Sequence, residues 1–296
     1  MNSLRLYWTL ARPFTLIPPM VGIFSGAVVG SAASHAPFRV LHVALAVVAV
    51  GLLNAGSNAL NQIYDLSADR INKPHRPLPS GTMTMTEVWT FVAFAYIVAL
   101  VMVAVVSWQT FGLYAIAAVA TMAYSTPPLR LKAHPFGSNL TIAMIRGELL
   151  IVAGWSAVSS VLVSIEPWYI GFVLFLFLLG ATTTKDFADV DGDRASACVT
   201  LPVRYGVEWS ARAISPAFIV PWLLLPLGVL PGIIKGNAIA IFVLSAVLLV
   251  WGIYVVHSMN RSLRSLMTAR ESRRSWRHMY WMMMICQAGL ATAYLL

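Results

Sequence analysis

Eleven acidic residues occur in this 296-residue chain, and six of them gather in two short stretches. The first is NAGSNALNQIYDLSAD, where Asn54, Asn58, Asn61, Asp65 and Asp69 are separated by four, three, four and four residues. On a helix that spacing stacks them along one face. The second is KDFADVDGDR, where Asp186, Asp189 and Asp193 follow at intervals of three and four. They too share one face if the preceding helix continues through them. Asp191 then points elsewhere, and Gly192 is a candidate helix end. Two carboxylates one turn apart repel unless a cation lies between them. Paired hard oxygen donors suit Mg2+, which keeps several waters and bridges carboxylates to phosphate oxygens. Arg70, Lys73, Arg76, Arg130, Lys132, Lys185 and Arg194 surround these stretches. Carboxylates, metal and bases together make a clamp that stabilises a departing diphosphate. Taken singly, each base also reads as a lipid-headgroup contact. Likewise, the asparagines read as bonds between neighbouring helices.

The elements that must hold these residues follow from composition. Hydrophobic residues make up 59% of the chain and charged residues 10%, whereas a soluble protein devotes about a quarter of its residues to charge. A soluble globular domain is therefore excluded. Two cysteines are too few for a disulfide framework. Nine mainly apolar stretches of spanning length run at roughly 14–33, 40–64, 87–107, 109–126, 138–160, 168–186, 212–234, 238–258 and 279–296. The first lacks the small-residue cleavage site of a signal peptide. The chain is thus expected to be an all-α polytopic membrane protein, with 1–296 a single membrane domain. If nine helices cross, 17 of the 20 Lys and Arg fall on the amino-terminal side, Arg39 and Lys235 on the other, and Arg146 inside the fifth helix. The positive-inside rule places that face, and with it both aspartate stretches, in the cytoplasm. The net charge of +9 then reflects orientation and anionic lipids rather than nucleic acid. The same holds for the basic run Arg261, Arg264, Arg270, Arg273, Arg274 and Arg277.

NQIYDLSAD resembles the N-x-x-x-D-x-x-x-D motif of the UbiA superfamily of intramembrane prenyltransferases, and KDFADVDGDR resembles that family's second motif, D-x-x-D-x-x-x-D. NKPHRPLPSG, YSTPPLRLK and TLPVRYG are also similar to the family, so the likeness runs from about Arg12 to Gly206. The resemblance implies nine helices around a central cavity, with Mg2+ joining both motifs to a prenyl diphosphate. It implies ionisation of the allylic C–O bond and attack by an acceptor. By resemblance, Asn61, Asp65, Asp69, Asp186, Asp189 and Asp193 hold metal and diphosphate, with the five aspartates as the catalytic set. Arg76, Arg130, Lys132, Lys185 and Arg194 bind phosphate oxygens, and Arg12 and Tyr124 are further transfers. Two positions depart from the pattern. The family often carries Glu where Asp191 stands and Gly where Ala197 stands.

Physical chemistry points the same way. A prenyl tail belongs in the bilayer and its diphosphate at the aqueous boundary, and an allylic cation needs a dry pocket. Trp155, Trp168, Phe172 and Phe175 are available as walls, but each reads more simply as packing or as an interface anchor. The hydrophobic or aromatic acceptor is less sharply indicated. ARPFTLIPPM and PHRPLPSG resemble chlorophyll synthases, IRGELL the homogentisate and other quinone-precursor enzymes, and KDFADVDGDR with TLPV the enzymes that alkylate geranylgeranylglyceryl phosphate. Arg146 and Glu148 are charges within a span, hence candidate acceptor contacts. The reading leans to a phenolic or quinone-precursor acceptor, with geranylgeranylglyceryl phosphate or a chlorophyllide as the alternative. A secondary transporter fits poorly, because transporters place polar groups near the midplane of inverted repeats, whereas both clusters here lie at one boundary.

Overall fold

The computed structural model describes residues 3–195, 197–261 and 266–296, with the side chains at 3, 68, 71, 72, 195 and 269–273 left outside that description. Among the described residues every regular element is helical. The helices are α1 (Ser3–Ala11), α2 (Ile17–Ser34), α3 (Val40–Tyr64), α4 (Leu66–Asn72), α5 (Met85–Ala104), α6 (Trp108–Ser125), α7 (Gly137–Ile142) and α8 (Leu149–Ser156). They continue as α9 (Glu166–Ala181), α10 (Val190–Ala195), α11 (Leu201–Tyr205), α12 (Val207–Ile214), α13 (Val220–Val229), α14 (Ala238–Arg261) and α15 (Ala269–Leu295).

Among the described residues six helical runs are long and apolar enough to cross a bilayer: 13–34, 40–64, 85–104, 166–185, 207–229 and 238–261. The fourth, fifth and ninth expected segments are helical as well, at 108–125, 137–156 and 269–295. Six of the nine thus meet the requirement for a crossing by length and hydropathy. The last helix starts ten residues before the expected 279, since its opening run ARESRRSWRH is too polar to register as a span. Side chains such as Ile97, Val101, Val105, Val119 and Val250 are each more than 60% exposed. So much apolar surface is stable only against lipid, and the chain is an integral membrane protein.

Local sequence explains where the helices start and meet. Thr84 and Glu87 form a reciprocal capping box that opens α5, and Ser107 Oγ accepts from the Thr110 amide at 3.0 Å to open α6. Helices α2 and α8 cross at Gly26 and Gly154. A Cβ on Gly26 would overlap the Ile151 carbonyl, and one on Gly154 would overlap that of Ile23. Small residues at such crossings let backbones approach and gain dispersion contacts where lipid supplies no hydrophobic drive.

Two interruptions shape the interior. Arg12 adopts a left-handed φ of 57° between α1 and the short turn Pro13–Thr15, which leaves carbonyls of α1 without helical partners. The amide side chains of α3 supply partners instead. Gln62 donates to Leu10 O at 3.2 Å, Asn58 to Ala11 O at 2.9 Å and Asn54 to Thr15 O at 2.9 Å. The reading of Asn54 and Asn58 as inter-helix bonds is therefore correct, and these bonds fix the entry to α2. The second interruption is a π-helical turn, Ala143–Glu148, between α7 and α8. Such turns are uncommon and often lie at functional sites.

Candidate active site

Both aspartate stretches open on one cavity of about 760 Å3. Asn61, Asp65 and Asp69 line it from one side, and Asp186, Asp189 and Asp193 from the other. The first stretch departs only slightly from a continuous helix. The chain turns at Asp65 between α3 and α4, yet Asp65 N still bonds Asn61 O at 3.0 Å and Asp69 N bonds Asp65 O at 2.7 Å. The second stretch corrects the expectation of one helical face. Helix α9 ends at Ala181, tightens to a 3-10 turn over 182–185, and α10 starts only at Val190. The amides of Asp189 and Asp193 bond Asp186 O and Asp189 O at 3.2 and 2.7 Å, so two stacked turns replace the helix. Gly192 lies within α10 rather than ending a helix, and it faces the cavity.

The first motif is paired with bases. Lys132 Nζ donates to Asn61 Oδ1 at 2.6 Å and to Asp65 Oδ1 at 2.7 Å. Arg76 Nη1 donates to Asp69 Oδ2 at 2.5 Å. The cations that separate Asp65 from Asp69 are thus side chains of the protein. Arg130 stands further back, with Nη2 3.7 Å from Asp65 Oδ1. The second motif is less neutralised. Lys185 Nζ is 3.9 Å from Asp186 Oδ1, and Asp193 Oδ2 accepts from Thr200 Oγ1 at 3.1 Å. Burial pushes the Asp186 carboxyl up to about 7, opposed by Lys185 and reinforced by Asp193 and Asp189. Burial likewise pushes Asp193 up to about 6, opposed by the Thr200 hydrogen bond and reinforced by Asp189. Groups in this condition favour a neighbouring cation, which offsets both the desolvation and the mutual repulsion.

Lys185 also donates to Tyr124 OH at 3.0 Å, and Ser138 Oγ lies 3.2 Å from that hydroxyl. Deeper in the cavity, Arg146 donates to Tyr280 OH at 2.7 Å and to Asn54 Oδ1 at 2.9 Å. Arg12 faces the same space, its guanidinium pKa lowered by burial and by the charge of Arg76. Among the described residues neither Arg12 nor Arg146 forms an ion pair with a carboxylate. Val50, Leu53, Ile142, Ile145, Leu150, Leu178, Met279 and Met283 supply apolar wall.

Of the residues singled out in the sequence, Arg70, Arg130, Glu148, Asp191 and Arg194 do not line the cavity. Arg194 is exposed and pairs loosely with exposed Asp191 at 4.0 Å, because α10 turns it outward. Glu148 sits about half a turn from Arg146 on the π segment, on the side where its own backbone meets Gly171. The candidate walls Trp155, Trp168, Phe172 and Phe175 are likewise outside the lining; Trp155 packs on Gly30. In the basic run, Arg264 and the side chains of Arg270 and Arg273 lie outside the described residues.

Sequence reasoning passed over Trp276, Met279, Tyr280 and Met283, which line the cavity from α15. Their spacing of three, one and three is a helical face; Trp276, however, lies before the segment that hydropathy alone identifies. Ser138, Thr200 and Cys198 were also missed, as lone small residues carry no spacing signal.

The chain is similar over most of its length to known proteins. Digeranylgeranylglyceryl phosphate synthase of Methanobrevibacter smithii is 26% identical over 255 residues, covering 82% of this chain and 87% of that protein. Probable homogentisate phytyltransferase 2 of Oryza sativa subsp. japonica is 31% identical over 213 residues, 68% of this chain and 55% of that one. The solved structure of a UbiA homolog from Archaeoglobus fulgidus bound to GPP and Mg2+ superposes with a TM-score of 0.74 at 19% identity, covering 97% of this chain and 99% of the other. The profile of the UbiA prenyltransferase family matches residues 20–286. The chain therefore belongs to the UbiA prenyltransferase family and is a membrane-embedded prenyltransferase.

Proposed function

We propose that this enzyme uses Mg2+ and a prenyl diphosphate to alkylate an anionic, lipophilic acceptor at the cytoplasmic end of the bundle, with a prenylated glycerol phosphate as the first choice. One observation carries the reading. A single cavity presents six oxygen-donor side chains, Asn61 and five aspartates, and separately two guanidiniums, Arg12 and Arg146, that among the described residues form no ion pair with a carboxylate. A half-buried cation without a counter-charge is costly, so its natural partner is a second anion, distinct from the diphosphate.

The donor set is all oxygen and fits a hard divalent cation. Among the described residues no three carboxylate, imidazole or thiolate groups converge as a ready-made cage. That fits Mg2+, which takes one or two carboxylates and completes its shell with waters and substrate phosphates. Bound there, Mg2+ would neutralise the charge that develops on the leaving diphosphate. Asn61, Asp65 and Asp69 on one wall, and Asp186, Asp189 and Asp193 on the other, would hold it. Lys185, hydrogen-bonded to Tyr124, and Lys132 and Arg76 would take phosphate oxygens. The allylic C–O bond breaks with its electron pair going to the diphosphate. The acceptor hydroxyl then forms the new C–O bond, and its proton leaves with the diphosphate. The apolar wall keeps water from the carbocation.

The glycerol phosphate acceptor displaces the phenolic one to which the IRGELL segment leans. The named glycerol phosphate synthase matches 82% of this chain, against 68% for the homogentisate enzyme. A phenolic acid stays as the second reading because the latter relative is the more identical, 31% against 26%. The cytoplasmic orientation rests on the excess of Lys and Arg on the amino-terminal side. The test is an assay in membranes with Mg2+, prenyl diphosphates of several lengths and a panel of acceptors, with products read by mass. Alkylation of geranylgeranylglyceryl phosphate is expected, and Asp65→Ala and Asp189→Ala should abolish diphosphate release. Turnover of a phenolic acid alone would favour the second reading; release persisting in either variant would sink the mechanism.

A further inference from the structure

Lys132 is placed where a metal would go. Its ammonium lies between Asn61 Oδ1 at 2.6 Å and Asp65 Oδ1 at 2.7 Å, and so engages two of the three side chains of the first motif. The side chain is 8% exposed, so it is not a surface lysine that happens to reach inward. It comes from the short turn Leu131–Ala133, introduced by Arg130 at a left-handed φ of 35°. A non-glycine residue held in that region needs support from its surroundings. Here Arg130 N donates to Thr126 O at 2.8 Å and Ala133 N to Arg130 O at 2.8 Å. Asp69, the third member, is taken by Arg76. The second motif is arranged differently. Among the described residues Asp189 makes no ion pair, and the nearest base to Asp186 stands off at 3.9 Å.

We propose that Lys132 is an internal stand-in for the cation of the first motif, which must be displaced before Mg2+ enters there and is then transferred to the incoming diphosphate. The inference rests on the Mg2+ reading above and adds an order to it. At Asn61 Oδ1 and Asp65 Oδ1 an ammonium and a divalent cation compete for the same oxygens and repel one another. Once displaced, Lys132 needs another anion within reach of its side chain, and the diphosphate supplies it in the same cavity. Metal at the first motif is therefore admitted together with the diphosphate, whereas the second motif takes a cation without it. By linkage, the metal must tighten the diphosphate by the same factor. The arrangement also prevents Asp65 and Asp69 from repelling each other between turnovers.

The test measures metal binding directly. Mn2+ serves as a paramagnetic substitute for Mg2+, titrated into the full-length protein in detergent with and without inorganic diphosphate. The wild type should bind one Mn2+ alone and gain a second with diphosphate, and Asp65→Asn should lose only the second. In Lys132→Met the second site should fill without diphosphate, with an affinity raised about tenfold or more, inside the usual 5- to 150-fold range of such couplings. Lys132→Arg should behave as wild type, and Lys132→Gln should match the Met variant, which covers a failure of either to fold. Unchanged or weaker Mn2+ binding in the neutral variants, with the second-motif site intact, would overturn the stand-in role. No Mn2+ binding by the wild type even with diphosphate would overturn the Mg2+ reading and this inference together.

Discussion

Arg146 donates to Asn54 Oδ1 at 2.9 Å, while the amide of that same Asn54 donates to Thr15 O at 2.9 Å. One asparagine thus couples the π-helical turn to the break before α2, and holds the guanidinium at the inner wall of the cavity. With the acceptor anion seated on Arg146, Arg146→Met should raise the acceptor KM by tenfold or more, since hydrogen bonds to charged groups are worth about 1.5–3 kcal/mol. The donor KM should change little. Steady-state kinetics with each substrate varied in turn decides this, and equal effects on both would remove Arg146 from the acceptor pocket.

Tyr280 OH takes the other Arg146 bond at 2.7 Å, and its ring packs edge-on against Trp276 with centroids 4.5 Å apart. Tyr280→Phe keeps that packing and removes one acceptor from the guanidinium. The acceptor KM should rise by a few-fold, clearly less than for Arg146→Met, and thermal stability should be close to wild type. A double variant that loses no more than Arg146→Met alone would show that Tyr280 acts through Arg146. Full additivity would assign it a separate role.

Much of this site was legible because membranes make charge expensive. The intervals among Asn61, Asp65 and Asp69 survive the kink at Asp65, since two adjoining helical turns preserve the face. Spacing reads contiguous helix, and so it erred at Asp186–Asp193, where α9 ends early and stacked turns bring the same carboxylates to the cavity. It also could not tell inward from outward at Arg194, which depends on how α10 is set against its neighbours. Ala197 is instructive. It departs from the family's usual glycine, yet it keeps a left-handed φ of 55°, the conformation that glycine adopts freely. The contribution of α15 was hidden for a different reason. Trp276 and Tyr280 sit where a polar, basic run hands over to apolar sequence, and a hydropathy window cannot assign a face there.

The α2–α8 crossing gives a prediction about packing rather than chemistry. A Cβ on Gly26 meets the backbone of Ile151, with its carbonyl carbon at 3.0 Å, and backbone cannot step aside as a side chain can. Gly26→Ala should force the helices apart and cost about 1–3 kcal/mol, as overpacking does. Gly112, in α6, has nothing within 4 Å of where its Cβ would be. Gly112→Ala should be neutral or stabilising by about 0.5–1 kcal/mol. Thermal unfolding in one detergent compares them, and equal melting temperatures would contradict the close crossing.

Asp186 and Asp193, pushed up to about 7 and about 6 chiefly by burial, make cation binding depend on pH in a definite direction. A carboxyl raised above its ordinary value, about 3.9 for Asp, is favoured by the fold in its neutral form. Its contribution to stability is complete below that ordinary value and is lost as pH rises through the raised one. Without a divalent cation these two groups should therefore make the protein less stable at pH 8 than at pH 5. Mg2+ binds the ionised forms and releases their protons, so its stabilising effect should grow over the same interval. Melting temperatures with Mg2+ and inorganic diphosphate, compared with chelator, should differ more at pH 8 than at pH 5.5. Asp193→Asn should flatten the difference near pH 6. Activity should vanish with chelator and return with Mg2+, and the Mg2+ concentration for half-maximal rate should rise as the pH falls below about 7. A Mg2+ effect of constant size from pH 5.5 to 8 would show that Asp186 and Asp193 are not among its ligands.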